Sequence, residues 1–293
     1  MNQEKLNILK NKEGFIAALD QSGGSSAKTL KNYGILESDY NTDEEMFDLI
    51  HEMRTRVMTS KSFTNEKILG VILFEETMNR KILNKLTSDY LWEDKQILSF
   101  LKIDKGLEEE QNGVQLMKDI PNLTELLKKA HDLGIFGTKM RSVIHSYNET
   151  GIKKIVKQQF DLAKIIYNNG LIPIIEPEVS IDSKDKEKCE ELLKKEVLRY
   201  LDEIDFEVIF KFTIPTIDNY YSDIIENKKV IRVVALSGGY KREDACLKLS
   251  RNHNMIASFS RALLENLKVS DTDQEFDSKL AESIDKIYKA SIQ

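Results

Sequence analysis

The chain has 293 residues, 41% of them hydrophobic and 31% charged, with a formal net charge of −6 at pH 7. That length can bury a large core, in one barrel-sized domain or in two ordinary ones. The acidic balance excludes a nucleic-acid binder that works by bulk electrostatics, so an anionic ligand would need cations gathered locally. No stretch approaches the roughly 18 consecutive apolar residues of a membrane-crossing helix, so no membrane partner is expected. Residues 1–5 carry no apolar run of signal-peptide type. The two cysteines, Cys189 and Cys246, are too few for a disulfide framework and point to a reducing, cytoplasmic setting.

In chain order, short apolar runs alternate with longer amphipathic stretches. The runs are residues 15–19, 69–74, 97–101, 135–137, 171–175, 206–210, 230–236 and 254–259. They are short and several are rich in Val and Ile, which predicts buried parallel strands. Between them, Ile152, Ile155, Val156, Ala163, Ile166 and Tyr167 fall on one helical face. Cys189, Leu192, Leu193, Val197, Tyr200 and Leu201 fall on another. Leu280, Ala281, Ile284, Ile287 and Tyr288 predict a final packed helix. Residues 104–119 are expected to form a mobile loop. Eight strands alternating with helices over roughly 250 residues predict a (β/α)8 barrel, a single domain over 1–293 with a C-terminal helix. A doubly wound open sheet has the same local pattern.

The residues that follow each run are polar. The first run ends in Asp20, the second in Glu75 and Glu76, and the third in Lys102. The fourth leads to Lys139 and Arg141, the fifth to Glu176 and Glu178, and the sixth to Lys211. The seventh ends in Ser237-Gly238-Gly239, and Ser260 and Arg261 follow the eighth. In a barrel these ends converge on one mouth, where active sites lie. The convergence would supply the local cations that an acidic protein needs for a phosphorylated ligand.

Lys211 emerges from an apolar strand, where desolvation and a neighbouring cation such as Lys139 would lower its pKa and leave an amine able to attack a ketone. A lysine that merely snorkels to solvent fits the same pattern. Glu176 and Glu178 are two apart on a strand and so share a face. That suits general acid–base chemistry, a metal, or simple pairing with Lys139 and Arg141. Ser237-Gly238-Gly239 could let backbone N–H groups approach a phosphate, or could be only a turn. Residues 20–25 form a similar turn after the first strand. The four histidines have no zinc-ligand spacing, and no Walker A or Gly-x-Gly-x-x-Gly motif is present.

Taken as an ordered set, these segments resemble the class I (Schiff-base) fructose-bisphosphate aldolases, in their shorter bacterial form. The segments are Ala17-Ala18-Leu19-Asp20-Gln21-Ser22, Gly70-Val71-Ile72-Leu73-Phe74-Glu75-Glu76-Thr77, and Lys102-Ile103-Asp104-Lys105-Gly106. Further matches are Lys139-Met140-Arg141, Ile172-Pro173-Ile174-Ile175-Glu176-Pro177-Glu178, Leu236-Ser237-Gly238-Gly239, and Ser260-Arg261-Ala262-Leu263. The resemblance implies a (β/α)8 barrel and reversible cleavage of fructose 1,6-bisphosphate with no metal or other cofactor. Lys211 would attack the C2 ketone and Glu176 would shuttle protons, with Glu178 assisting. Asp20 would accept the C4 hydroxyl proton, and Lys139 would hold Asp20 and Glu176 electrostatically. Ser237, Gly238, Gly239 and Arg261 resemble a C1-phosphate site. Lys102, Arg141, Ser25 and Lys28 resemble contacts toward the C6 phosphate.

Several positions depart from the animal form of the family. Gln21 stands where many animal members carry Glu, Thr29 replaces an arginine, and the turn at residues 259–261 is two residues shorter. A long tail ending in tyrosine is missing. Three rival readings remain: a tagatose-bisphosphate or broad ketose-bisphosphate aldolase, a metal-dependent barrel lyase, and a non-catalytic sugar-phosphate binder. An oligomeric interface is not readable from one sequence.

Overall fold

A computed structural model describes residues 2–293. Eight parallel strands follow one another around a barrel: β1 (Phe15–Leu19), β2 (Ile68–Leu73), β3 (Leu98–Lys102), β4 (Gly137–Ile144), β5 (Ile172–Val179), β6 (Val208–Thr213), β7 (Val230–Leu236) and β8 (Met255–Ala257). The ring closes between β8 and β1, where the Ala18 N–H donates to the Phe259 carbonyl at 3.2 Å. Closure excludes the open doubly wound sheet.

Alternation along the strands sorts their side chains into two layers. Outward residues such as Ala17, Val71, Leu101, Ile175, Phe210 and Val233 join one apolar cluster with the surrounding helices. Inward residues such as Ile16, Leu98, Phe100, Ile174, Ile209 and Val234 form a second cluster inside the barrel. Leu6 and Leu9 of α1 (Gln3–Asn11) join that inner cluster and plug the end from which the strands start. Followed toward the mouth, the inward face turns polar on four of the strands. Ile16 and Ala18 precede Asp20, Leu98 and Phe100 precede Lys102, Ile172 and Ile174 precede Glu176, and Ile209 precedes Lys211.

The outer helices used below are α2 (Gly24–Tyr33), α3 (Asp43–Thr59), α4 (Leu123–Asp132), α5 (Glu149–Asn168), α6 (Lys186–Glu203), α7 (Arg242–Leu249) and α8 (Asp273–Ser291). The predicted apolar faces of α5 and α6 are buried, with Tyr167 and Tyr200 at their half-buried margins. Tyr200 stacks on Phe160 with ring centroids 4.8 Å apart. α8 starts at a capping box between Thr272 and Glu275. Residues 104–119, expected as a loop, contain a short strand, Val114–Gln115, that pairs antiparallel with Val143 and Ile144.

The apolar runs underestimate several strands. The fourth run, residues 135–137, only introduces β4, which continues to Ile144. β5 runs four residues past its predicted end, through Glu176 and Glu178 to Val179. Polar side chains on an inward face lining the mouth are strand residues, although hydropathy places them outside. β5 also carries Pro173 and Pro177, which have no N–H to give to a ladder. It pairs in full with β4 but with β6 only at Ile174 and Ile175. Nearer the mouth the Thr213 hydroxyl replaces the ladder, accepting from the Val179 N–H at 3.0 Å and donating to the Val179 carbonyl at 2.6 Å.

β4 must start on a glycine. A Cβ on Gly137 would lie 2.3 Å from the Ile172 carbonyl oxygen and 2.9 Å from the Phe100 ring. Gly137→Ala is therefore expected to lower the unfolding free energy by about 1–3 kcal/mol, as overpacking does elsewhere. Urea titration checks this, and an unchanged midpoint would contradict the clash.

Candidate active site

The polar ends of the inward faces surround a cavity of about 520 Å³ at the barrel mouth. All the sequence-predicted site residues line it except Gly239. That glycine faces an adjoining cavity of about 360 Å³, which shares Gln21, Thr29, Asn32 and Arg261 with the first but contains none of the clustered lysines.

Lys139 projects from β4 into the middle of the main cavity. Its Nζ lies 2.7 Å from Asp20 Oδ2, 3.2 Å from Glu176 Oε2 and 3.6 Å from Asp104 Oδ2. On the other side of Glu176, Lys211 Nζ lies 3.2 Å from Oε1. Lys211, Glu176, Lys139 and Asp20 thus form a continuous chain of alternating charge, with Lys211 4% exposed and Lys139 2%. Both lysines approach Glu176 at ion-pair distance, yet Oε2 has no donor in hydrogen-bond alignment. A buried carboxylate held by charge but with a lone pair unengaged is suited to receive and pass a proton.

Burial opposes ionisation of Asp20, but Lys139, Lys211 and Lys102 outweigh it and hold its carboxyl far below the usual range. Burial likewise opposes the Lys139 ammonium, and Asp20, Glu176 and Asp104 together raise its pKa above that of an ordinary lysine. Arg141 and Glu178 form a second pair, Nε to Oε2 at 2.5 Å, beside the chain. Glu178 and Glu176 share the inward face of β5, as their spacing predicts, but have different partners.

The remaining predicted residues form the rim. Ser237-Gly238-Gly239 follows β7 as a tight turn in which the Ser237 carbonyl accepts the Tyr240 N–H at 2.9 Å. Gly238 and Gly239 have φ of +60° and +119°, the region that favours glycine. A Cβ on Gly238 would also come within 2.8 Å of Ile181. Arg261 is exposed opposite this turn. Lys28 lines the same cavity from α2, whereas the Ser25 hydroxyl is engaged locally, accepting the Ser22 N–H at 2.8 Å and donating to the Ser22 carbonyl at 2.7 Å.

Two important residues had no role assigned from sequence. Asp104 follows β3, is buried, and pairs with both Lys102 and Lys139. Its position two residues beyond Lys102 was the available signal. Arg54 comes from outer helix α3, on the apolar face it shares with Met46, Ile50, Met53, Val57 and Met58. It is fully buried without a carboxylate partner, and burial pushes its pKa down to about 10 with Asp20 opposing the shift. Its guanidinium donates to Thr77 Oγ1 at 2.7 Å, to the Gln21 carbonyl at 2.6 Å and to Gln21 Oε1 at 3.1 Å. Gln21 in turn donates to Ser260 Oγ at 2.6 Å. One outer arginine therefore ties together the segments that follow β1, β2 and β8. An arginine on an apolar helix face was the only sequence signal for it.

The depressed pKa of Asp20 has a consequence for stability. A carboxylate whose folded pKa lies below its unfolded value stabilises the fold fully above about pH 4, and that contribution disappears as pH falls through the folded pKa. The urea midpoint should therefore fall between about pH 4 and pH 2. Asp20→Asn should make that fall shallower, and parallel curves for the two proteins would contradict the ion-pair account.

Residues 2–213 match the family model described as fructose-bisphosphate aldolase class-I. The chain is 58% identical over 294 residues to a fructose-bisphosphate aldolase class 1 of Clostridium acetobutylicum. It is 56% identical over 293 residues to one of Porphyromonas gingivalis. Both alignments cover 100% of each chain. Among solved structures, the fold is similar to a Plasmodium falciparum fructose-bisphosphate aldolase in complex with TRAP and a small-molecule inhibitor. That match has a TM-score of 0.74 at 19% identity, over 99% of this chain and 94% of that one. An archaeal fructose 1,6-bisphosphate aldolase matches with a TM-score of 0.57 at 13% identity, over 97% and 98%. With the expected barrel found and relatives of this identity along its whole length, the chain belongs to the class I fructose-bisphosphate aldolase family.

Proposed function

We propose that the protein reversibly cleaves fructose 1,6-bisphosphate to dihydroxyacetone phosphate and glyceraldehyde 3-phosphate through a Schiff base on Lys211. The observation that carries this reading is the buried chain Lys211–Glu176–Lys139–Asp20 at the barrel mouth. It brings a nucleophile, a proton carrier and a base around one space. The full-length relatives named as this aldolase support the same substrate.

In this reading Lys211 passes its ammonium proton to Glu176, and the amine so formed attacks the C2 ketone. Glu176, 3.2 Å from the Lys211 nitrogen, supplies the proton that lets hydroxide leave the carbinolamine as water. Asp20 takes the C4 hydroxyl proton as the C3–C4 bond breaks. The bonding electrons flow into the iminium, which becomes an enamine, and no metal is required as the electron sink. Lys139 holds Asp20 and Glu176 apart as a shared counter-charge. Glu178, fixed by Arg141, assists iminium formation.

The Ser237-Gly238-Gly239 turn and Arg261 take the C1 phosphate. Lys102, Arg141, Lys28 and Ser25 face the C6 end. Tyr288 plays no part: it sits in α8 and its hydroxyl donates to Glu13 at 3.1 Å, just before β1 and at the opposite end of the barrel. The enamine therefore receives its proton from a group at the mouth. A single barrel domain over residues 1–293 fits the continuous outer core from β1 to α8. A small sugar phosphate rather than nucleic acid fits the net charge of −6. A cytoplasmic setting fits the unpaired Cys189 and Cys246.

Borohydride reduction with dihydroxyacetone phosphate should place a stable adduct on Lys211, and cleavage should survive excess EDTA. Lys211→Met should fold and lose essentially all cleavage. An adduct on Lys102 or Lys139 with Lys211 unmodified would refute the assignment. Arg261→Ala should sharply weaken turnover of the bisphosphate with little change in thermal stability, because a guanidinium suits phosphate oxygens. An equal loss on a substrate without the C1 phosphate would rule that role out.

A further inference from the structure

Asp104 is the one buried acid of the mouth that this mechanism leaves unused. Its Oδ1 lies 2.7 Å from Lys102 Nζ, and the same ammonium donates to the Asp104 carbonyl at 2.8 Å. Its Oδ2 accepts the Arg141 N–H at 3.2 Å and lies 3.6 Å from Lys139 Nζ. One carboxylate therefore pairs with two ammonium groups, Lys102 from β3 and Lys139 from β4, and accepts the backbone N–H of Arg141. The Lys102 ammonium gives one N–H to the Asp104 carbonyl and sits at ion-pair distance from its carboxylate, and a phosphate must compete with both.

Charge balance sharpens the point. Lys102, Lys139, Arg141 and Lys211 face Asp20, Asp104, Glu176 and Glu178, so the cluster is neutral when all are ionised. Without Asp104 the cluster carries one net positive charge, and both lysines are freer to turn toward an incoming anion. A ground state that grips phosphate more tightly does not raise turnover. A Lys139 drawn toward phosphate also leaves Asp20 and Glu176 without their shared counter-charge.

We propose that Asp104 is a positioning residue that holds Lys102 and Lys139 back from the sugar phosphate, weakening phosphate binding while preserving the Asp20–Lys139–Glu176 geometry. This rests on the reading of Lys102 as a phosphate contact and Lys139 as the counter-charge of Asp20 and Glu176. The prediction is a split between binding and turnover. A residue that only stabilised the fold would weaken both.

The test uses the full chain carrying Asp104→Asn. Inorganic phosphate binding is measured by calorimetry, and kcat and KM are measured for fructose 1,6-bisphosphate. The phosphate Kd and the KM should each fall about fivefold, the scale of one partly screened charge at this distance. At the same time kcat should fall about tenfold, the cost of misplaced groups. In a Lys102→Met background, Asp104→Asn should tighten phosphate binding by clearly less than it does with Lys102 present, because the more closely held of the two restrained ions is gone. An equal tightening of phosphate binding without Lys102, an unchanged Kd, or a raised KM would each overturn the proposal. If Asp104→Asn does not fold, Asp104→Glu carries the test. It keeps the charge, so its phosphate Kd should stay within about twofold of wild type, and a fivefold fall would overturn the proposal. Because calorimetry does not require turnover, failure here is distinct from a failure to trap Lys211 in the wild-type protein, which would strike the aldolase mechanism itself.

Discussion

A lysine ammonium with almost no access to water stands at the centre of this barrel. Taking such an ion out of water is expensive unless opposite charges and hydrogen bonds surround it. Lys139 meets that requirement with three carboxylates, Asp20 from the end of β1, Asp104 from the segment after β3 and Glu176 from β5. No two of these lie within 50 residues of one another in the chain. The ion pair therefore forms only when the barrel has closed in the right register, and the site is coupled to the fold as a whole.

The scaffold provides that register through alternation. Aliphatic and aromatic side chains fill the inward face near α1, and charged ones occupy the same face nearer the mouth. The apolar layer fixes the strands, and the strands then aim the lysines and carboxylates. Arg54 works from outside, joining the segments after β1, β2 and β8 through Gln21 and Thr77. The bridge here is built from neutral acceptors around a buried guanidinium, and the Arg54 Nε has no hydrogen-bond partner.

The first half of β5 was legible because Ile172, Ile174 and Ile175 are apolar. Its second half was not, because Glu176 and Glu178 read as the end of a strand rather than part of it. The same holds for β4, whose apolar start at residues 135–137 conceals seven further strand residues beyond Gly137. Hydropathy reports which side chains avoid water. In a barrel mouth the strand continues where side chains seek a polar cavity, so the signal fades where the site begins.

The sequence by itself determined the alternation of eight strands with helices, the order of those strands, and the polar residues that follow each of them, a pattern that an open sheet also fits. Those features depend on local alternation and on chain order, which a linear pattern records. The tertiary structure alone decided the partners. Glu176 lies between Lys139 and Lys211 while Glu178 pairs with Arg141, although both acids share a strand face. It recruited Asp104 and the distant Arg54, and it placed Tyr288 beside Glu13 at the far end from the lysines. These outcomes depend on the register between strands far apart in the chain and on the closure of β8 onto β1, which no local spacing encodes.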